Sequence, residues 1–174
     1  MPVISFKTKL FKIGSWTILK LPKEASTKLP SRGMVLVEGK INDYGFQKVL
    51  EPDGAGSHWF RVDEKMSKVI HAEAGDVVEL TIEPSKKWPE PEIPEDLAKA
   101  LENDTKAKFL WEDITPMARW DWIRWIRATN NPETREKHIK VAFSKLKAGD
   151  RRPCCFNRNL CTVMEISKNG LLLT

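Results

Sequence analysis

Apolar and polar positions alternate through most of the first half of the chain, a pattern typical of half-buried β-strands. The alternation, bounded by Gly, Pro, Asn and Asp, predicts six strands, at residues 3–13, 16–21, 34–41, 46–50, 58–62 and 77–82. Two short helices fit between them, one at 23–29 after Pro22 and one through Ile70 that Asp63 can cap. Residues 42–45 favour a turn.

The order of these elements occurs twice. Each copy has a Trp-bearing strand, a short helix, a glycine and a Val-rich strand, and segments 33–41 and 75–82 lie 42 residues apart. Neither copy can bury its sheet alone, so joining the two predicts a small closed β-barrel without exposed edges. A plain antiparallel sandwich that repeats by chance is the alternative.

From Pro94 onward the apolar spacing becomes helical, and four helices are predicted. Pro94 opens the first, and residues 107–111 belong to the second. Thr115-Pro116 and Asn131-Pro132 are cap and first-turn pairs for the third and fourth. The apolar face of the third helix is predicted to be Ala118, Trp122, Trp125, Ile126 and Thr129, and that of the fourth Ile139, Ala142, Phe143 and Leu146.

A Pro-rich segment separates these halves. Four prolines between residues 84 and 94 favour an extended, stiff linker. The sequence therefore predicts an α+β protein with a β-barrel domain at 1–85, a linker at 86–93, and a helical domain with a C-terminal tail at 94–174.

Charge is unevenly distributed along the 174-residue chain, whose formal net charge is +5. Residues 88–118 carry three Lys against eight Asp and Glu, whereas residues 119–158 carry eleven Lys and Arg against four Asp and Glu. Acidic and basic helices could simply pack against each other. The functional alternative is a basic surface for an unidentified anionic ligand or protein partner, with Arg124, Arg127, Arg135 and Trp120 as the candidate binding residues.

No catalytic, cofactor or metal site emerges from the residue pattern. The chain's three histidines lie on different predicted elements, without a nucleophile elbow. Cys154, Cys155 and Cys161, with His138, lack the spacing of a zinc site, so packed thiols are the expected reading, and a redox role stays open. We therefore expect no enzyme, no cofactor and no bound metal.

Targeting signals are also missing from the pattern. Lysines interrupt the first apolar positions, and no apolar run approaches the ~18 residues of a membrane span. A cytoplasmic protein without membrane insertion is expected.

Four segments of the first half, at 16–22, 35–45, 50–58 and 75–78, resemble a family of uncharacterised bacterial domains. That resemblance covers roughly residues 3–85. It implies a double-split β-barrel, the single-chain counterpart of the barrel that AbrB and MazE dimers make.

Segments 94–97, 115–116, 124–126 and 132–135 resemble the YdeI/OmpD-associated family, named for a link to bacteriocin protection and to resistance against cationic antimicrobial peptides. This family has no established catalytic residues to transfer. The resemblance implies a non-enzymatic binding module associated with such resistance. Nucleic-acid binding is the alternative, because AbrB-type barrels bind DNA and the helix pair around Asn130 is similar to a helix-turn-helix.

Overall fold

The structure, a computed structural model, describes residues 3–154 and 157–174, and these divide into two compact units. The sheet unit contains the described residues up to Lys87 together with Asn157–Cys161 and Glu165–Thr174. The helical unit begins at Trp88 and takes in Thr162–Met164. A curled antiparallel sheet in the first unit and helices in the second confirm the α+β prediction.

Seven strands of the sheet unit form one antiparallel sheet within the described residues, in the order β1-β7-β4-β5-β6-β3-β2. Their bounds are β1 Ile4–Lys9, β2 Phe11–Ile13, β3 Trp16–Lys20, β4 Val35–Ile41, β5 Tyr44–Pro52, β6 His58–Val62 and β7 Val77–Pro84. Helix α1, Lys23–Ser26, follows β3, and helix α2, Glu64–Ile70, follows β6. The predicted helix at 23–29 is thus shorter, and β5 is longer than predicted.

The repeated order seen in the sequence is present in the fold. The series β3-α1-β4 is followed by β6-α2-β7, and corresponding strands pair with each other, β3 with β6 and β4 with β7. Gly39 lies in β4 where a Cβ atom would collide with the carbonyl oxygen of Thr81 in β7. Glycine at this strand position therefore permits the close approach of the two strands.

The two strands at the ends of the sheet order are consecutive in the chain. Only Leu10 separates β1 from β2, and its N–H donates to the carbonyl of Asp76 at 2.9 Å. Its own carbonyl accepts from the N–H of Gly75 at 2.8 Å. The segment 4–13 thus pairs with β7 through its first half and with β3 through its second.

The C-terminal segment also contributes to the sheet unit. Strands β8, Ser167–Lys168, and β9, Leu171–Leu172, form a small hairpin, and the N–H of Leu172 donates to the carbonyl of Asp53 at 2.9 Å. Ile166, immediately before the hairpin, is only 1% exposed. Residues of the tail therefore belong to the interior of the described fold.

The helical unit consists, in its described part, of α3 Glu95–Glu102, α4 Thr105–Asp113, α5 Pro116–Arg127 and α6 Pro132–Lys147. The predicted caps of α5 and α6 are present, because Thr115 Oγ1 accepts from the N–H of Ala118 at 3.2 Å and Asn131 Oδ1 accepts from the N–H of Thr134 at 3.1 Å. Buried residues from these helices form one core, which includes Leu97, Leu101, Trp111, Trp122, Ile126, Ile139 and Phe143. No described helix is long and apolar enough to cross a bilayer.

Candidate binding cavity of the helical unit

The predicted cationic surface does not include Arg124. This residue is on α5 and is only 1% exposed. The buried positions of α5 include Ala118, Trp122 and Ile126 of the predicted apolar face, and they also include Arg119, Asp121 and Ile123, so they lie around most of the helix. Most of the predicted apolar face does pack in the core of the helical unit, but burial extends beyond it, and the prediction that Arg124 lies at the surface is wrong.

Arg127 and Arg135 are half-buried and donate to acceptors within the helical unit. Arg127 Nε donates to Thr162 Oγ1 at 3.1 Å. Arg135 makes a bidentate contact with Asp96 of α3, with Nε–Oδ2 at 2.8 Å and Nη2–Oδ1 at 3.1 Å. The hydrogen bonds from Arg135 lower the pKa of Asp96 from its usual value. Both guanidinium groups thus help to hold the unit together, while a binding role for them stays a prediction.

Trp120, the fourth predicted residue, contacts the Pro-rich segment. Its Nε1 donates to the carbonyl of Pro89 at 3.0 Å, and its ring meets that of Trp88 edge-on with centroids 6.4 Å apart. The half-buried indole therefore anchors the residues that precede α3.

The acidic and basic segments of this unit are joined by ion pairs. Four bridges connect residues 88–118 with residues 119–158: Glu90–Arg119, Asp96–Arg135, Asp104–Lys147 and Asp113–Arg151. The contact with Lys147 lowers the pKa of Asp104. Packing of acidic against basic helices is thus observed, and it uses much of the positive charge that the sequence concentrates after residue 118.

Arg119 is the most heavily bonded of these cations. Its Nε donates to Glu90 Oε2 at 2.9 Å, and its Nη2 contacts Glu90 Oε1. Its Nη1 donates to the carbonyls of Trp111 at 3.0 Å and Ile114 at 2.5 Å, at the end of α4. A guanidinium in this position stabilises the C-terminal carbonyls of α4, which have no partners within the helix.

A cavity of about 400 Å³ lies next to Arg119, and we call it the α3–α4 cavity. Its volume is within the range of about 300–1,000 Å³ that small-ligand sites occupy. Both apolar and charged residues line it: Glu90, Ile93, Ala98, Leu101, Glu102, Lys108, Trp111, Glu112 and Arg119. All nine belong to the helical unit.

Trp111, one of the lining residues, has a polar atom that the described part of the chain leaves unpartnered. The side chain is 3% exposed, yet its indole N–H has no hydrogen-bond acceptor among the described residues. A buried donor without an acceptor costs about 1–3 kcal/mol, and buried polar groups are rarely left in that state. The cavity therefore has a wall residue whose hydrogen-bonding capacity is unused within the described part of the chain.

The sequence pattern predicts a helix at Trp111 but does not connect this residue with Arg119 or Glu90. The i, i+4 spacing of Ala107 and Trp111 was a usable signal for burial, and both are buried. The pairing of Arg119 with Glu90 spans 29 positions, and no local pattern reports such a contact.

The sheet unit holds a buried polar cluster around His58. His58 Nε2 lies 2.9 Å from the carbonyl of Gly33, so this nitrogen carries the proton, and Ser26 Oγ then donates to Nδ1. The pKa of His58 is lowered to about 4, mainly by burial; the hydrogen bond to Gly33 opposes this lowering and nearby Arg32 adds to it. Ser26 and His58 are both 0% exposed, so this serine–histidine contact is closed to a substrate.

No group of three or more His, Cys, Asp or Glu that could hold a metal occurs within residues 3–154 and 157–174. Cys161 is buried at 4% exposure, whereas Cys155 lies outside the described residues. Burial of Cys161 agrees with the expected packed thiol, whereas Cys154 is exposed and disulfide-bonded, so the expectation of a packed thiol is wrong for Cys154.

Together these features define a class, the two-unit α+β protein with a curled antiparallel sheet and a helical unit that contains a small, partly charged cavity. Residues 90–149 match the family described as "Bacteriocin-protection, YdeI or OmpD-Associated", and residues 6–82 match a domain of unknown function (DUF1905). The helical part of the chain thus matches the YdeI/OmpD-associated family and the part in front matches the domain of unknown function, as the resemblances implied. No curated protein matches the chain.

Proposed function

We propose that this protein is a non-enzymatic binding module that acts in protection against bacteriocins, and that the α3–α4 cavity is its binding site. The description of the matched family as bacteriocin-protection supports the protective role. One observation carries the choice of site, namely a cavity of about 400 Å³ whose wall combines apolar side chains with charged ones within the helical unit.

The anionic partner was expected because the sequence predicts a surface of free arginines, and the structure does not show such a surface at these residues. Arg124 is buried, and Arg127 and Arg135 already donate to Thr162 and Asp96. For the same reason nothing in the described residues favours nucleic-acid binding, which depends on cations that can reach phosphates.

Filling the cavity tests the proposal. Ala98 lines it, so Ala98→Phe would place a ring in the ligand's space. We expect expression of the unaltered protein in a bacteriocin-sensitive bacterium to raise survival, and expression of Ala98→Phe to lose most of that gain. The readout is the surviving fraction over a series of bacteriocin concentrations.

Lys99→Phe is the matched control, because it adds the same ring to the same helix at a side chain that is 71% exposed. It should protect as well as the unaltered protein. Thermal unfolding of both variants establishes that they are folded. Full protection by a folded Ala98→Phe variant would show that the cavity is not the site.

We also propose that the curled sheet closes as the double-split barrel that the sequence implied. The support is that the end strands β1 and β2 are separated by Leu10 alone, whose N–H and carbonyl both bond to the 75–76 turn. Slow hydrogen exchange of the Leu10 amide, comparable to that of central strand residues, is the expected signature of closure.

A further inference from the structure

Strand β5 is paired on both sides for only a small part of its length. Residues 44–50 pair with β4 on one side, whereas only Glu51 and Pro52 pair with β6 on the other. Among the described strands, none pairs with residues 44–50 from that other side. Most of this long strand is therefore an edge of the sheet.

The turn between β4 and β5 shows which backbone groups lie on this edge. Asn42 and Asp43 both have positive φ, 47° and 69°, as in a two-residue turn that brings Ile41 and Tyr44 into a hydrogen-bonded pair. Bonded and non-bonded pairs alternate along an antiparallel ladder, so every second residue after Tyr44 directs its N–H and C=O groups away from β4. The residues of this open edge are Gly45, Gln47 and Val49.

The open edge is accessible. Gly45 and Gln47 are exposed, Val49 is half-buried, and a Cβ atom added at Gly45 would meet no other atom within 4 Å. The side chain of Gln47 donates to the carbonyl of Lys87 at 3.3 Å, but within the described residues none of the three backbones bonds to a group beyond β4. A row of unpaired N–H and C=O groups is a template for another strand.

The outer edge of β1, in contrast, is protected by charge. Leu10, directly after β1, bonds to the carbonyl of Asp76, so by the same alternation Ser5, Lys7 and Lys9 direct their backbone groups outward. Charged side chains, lysines especially, discourage pairing at an edge, and self-pairing about Lys7 would put two lysines directly opposite each other. The open edge of β5 has no charged residue at its three outward positions.

A second copy of β5 fits this edge in one register. Two antiparallel copies related by a two-fold axis at Gln47 place the two Gln47 residues opposite each other and Gly45 opposite Val49, so that the outward groups of both strands bond. Phe46 then lies opposite Lys48 of the second copy, and an ammonium group is attracted to an aromatic ring. In this register no two like charges within residues 44–50 stand directly opposite each other.

We infer that this protein forms a two-fold dimer through the open edge of β5, in which the main chains of Gly45, Gln47 and Val49 pair with those of a second copy. The antiparallel sheets of the two copies become one continuous sheet. A two-fold contact uses the edge of each copy once, so association stops at two chains. This surface is separate from the α3–α4 cavity and does not depend on the ligand of that cavity.

The mass of the full chain in solution tests the inference. Analytical ultracentrifugation from about 1 μM to about 1 mM covers the range in which a small interface associates. We expect the mass to rise from that of one chain to that of two as the concentration increases. A single chain at every concentration, or growth beyond two chains, would overturn the inference.

Substitutions at Gln47 test the register. Gln47→Lys and Gln47→Glu would each place two like charges at the axis, so each variant alone should dimerise at least tenfold more weakly. An equimolar mixture of the two variants should dimerise again, because a lysine then faces a glutamate across the axis. If the unaltered protein dimerises and the mixture is as weak as the separate variants, the two strands do not pair about Gln47 and the inference is wrong.

Ser5→Lys is the matched control, because it adds the same charge at an exposed strand residue on the β1 edge. It should leave dimerisation unchanged, and a loss as large as that of Gln47→Lys would show that net charge alone weakens association. Thermal unfolding of all the variants establishes that they are folded.

Hydrogen exchange identifies the backbone groups in the interface. The amides of Gly45, Gln47 and Val49 should exchange more slowly at concentrations where the dimer forms than in the single chain. The amides of Phe46 and Lys48 bond to β4 and should be protected in both states. A dimer in which the three outward amides exchange as fast as in the single chain would place the interface elsewhere.

Discussion

His58 is a buried histidine whose two ring nitrogens both bond within the sheet unit, so its imidazole is not accessible to solvent. It bridges Ser26 after β3 to the carbonyl of Gly33 before β4, and it is fully buried. A neutral imidazole with one donor and one acceptor satisfies both partners at once. Protonation would put a second hydrogen on the nitrogen that accepts from Ser26, in a place where water cannot solvate the charge.

His58 should therefore make the stability of the protein depend on pH. An unfolded histidine takes up a proton near pH 6.5, whereas folded His58 does so only near pH 4. The unfolded state binds more protons between these values, so stability is full above this window and falls as pH falls through it, by about 3 kcal/mol. Urea unfolding at several pH values across the window measures this loss.

The variant His58→Asn isolates the effect, because titrating carboxylates also weaken the fold in acid. Its stability should change less between pH 6.5 and pH 4 than that of the unaltered protein. His71→Asn, at an exposed position, is the control and should keep the original slope. If stability depends on pH to the same extent in all three proteins, His58 does not cause the pH dependence.

At the scale of elements, ion pairs between helices are the feature that local sequence patterns describe least well. The bidentate contact of Arg135 with Asp96 joins α6 to α3, and the two residues are 39 positions apart. Asp96 also lies in the first turn of α3, where a negative charge is favourable. This contact therefore contributes both to helix packing and to the local stability of α3.

A double-mutant cycle with Asp96→Asn and Arg135→Gln should give a coupling energy of about 1 kcal/mol at low salt, and less at high salt. The pKa of Asp96 is lowered, so this contribution is present above pH 3.8 and is lost as pH falls through the lower folded value. Chemical unfolding of the four proteins gives the coupling.

The exposed i, i+4 pair Glu136–Lys140 of α6 is the reference for that cycle. Both of its side chains are more than two-thirds exposed, at 69% and 75%, so its coupling should be only about 0.3–0.5 kcal/mol. A coupling for Asp96–Arg135 no larger than this reference would contradict a role in joining α3 to α6.

At the scale of the whole molecule, the sheet unit is formed by residues from both ends of the chain, and the helical unit lies between them in the sequence. Residues 157–161 and 165–174 belong to the sheet unit, although the helical unit precedes them in the sequence. The tail is held by the bond from Leu172 to Asp53 and by close contact of Gly54, at φ +87°, with the carbonyl of Gly170. The folding of the sheet unit thus depends on residues at both ends of the chain.

Truncating one side chain of β9 should show this dependence. Leu172 is 7% exposed, so Leu172→Ala should lower the free energy of unfolding by about 2–4 kcal/mol through lost burial and the cavity it leaves. Its neighbour Leu171 is 47% exposed, and Leu171→Ala should change stability by less than about 0.5 kcal/mol. Equal, small effects of the two substitutions in urea unfolding would mean that the tail does not stabilise the fold.

Much of the secondary structure could be predicted because its signals are local. The strand at 58–62, the cap by Asp63 and the starts of α5 and α6 follow from alternation, capping side chains and prolines that lie within a few residues of each other. The candidate site could not be predicted in the same way. Its members Glu90, Leu101, Trp111 and Arg119 come from separate segments, and only their packing brings them to one cavity.

The sequence by itself determined the α+β organisation, the repeated strand order and the family, because periodicity, caps and motif strings are carried by neighbouring residues. Only the tertiary structure decided which charged side chains are buried, which are paired and which are exposed. It buried Arg124, paired Arg119 and Arg135 with acids on other segments, and left Glu102 and Glu112 beside a cavity. The physical reason is that a charge acts according to its surroundings, and those surroundings are set by contacts between distant parts of the chain.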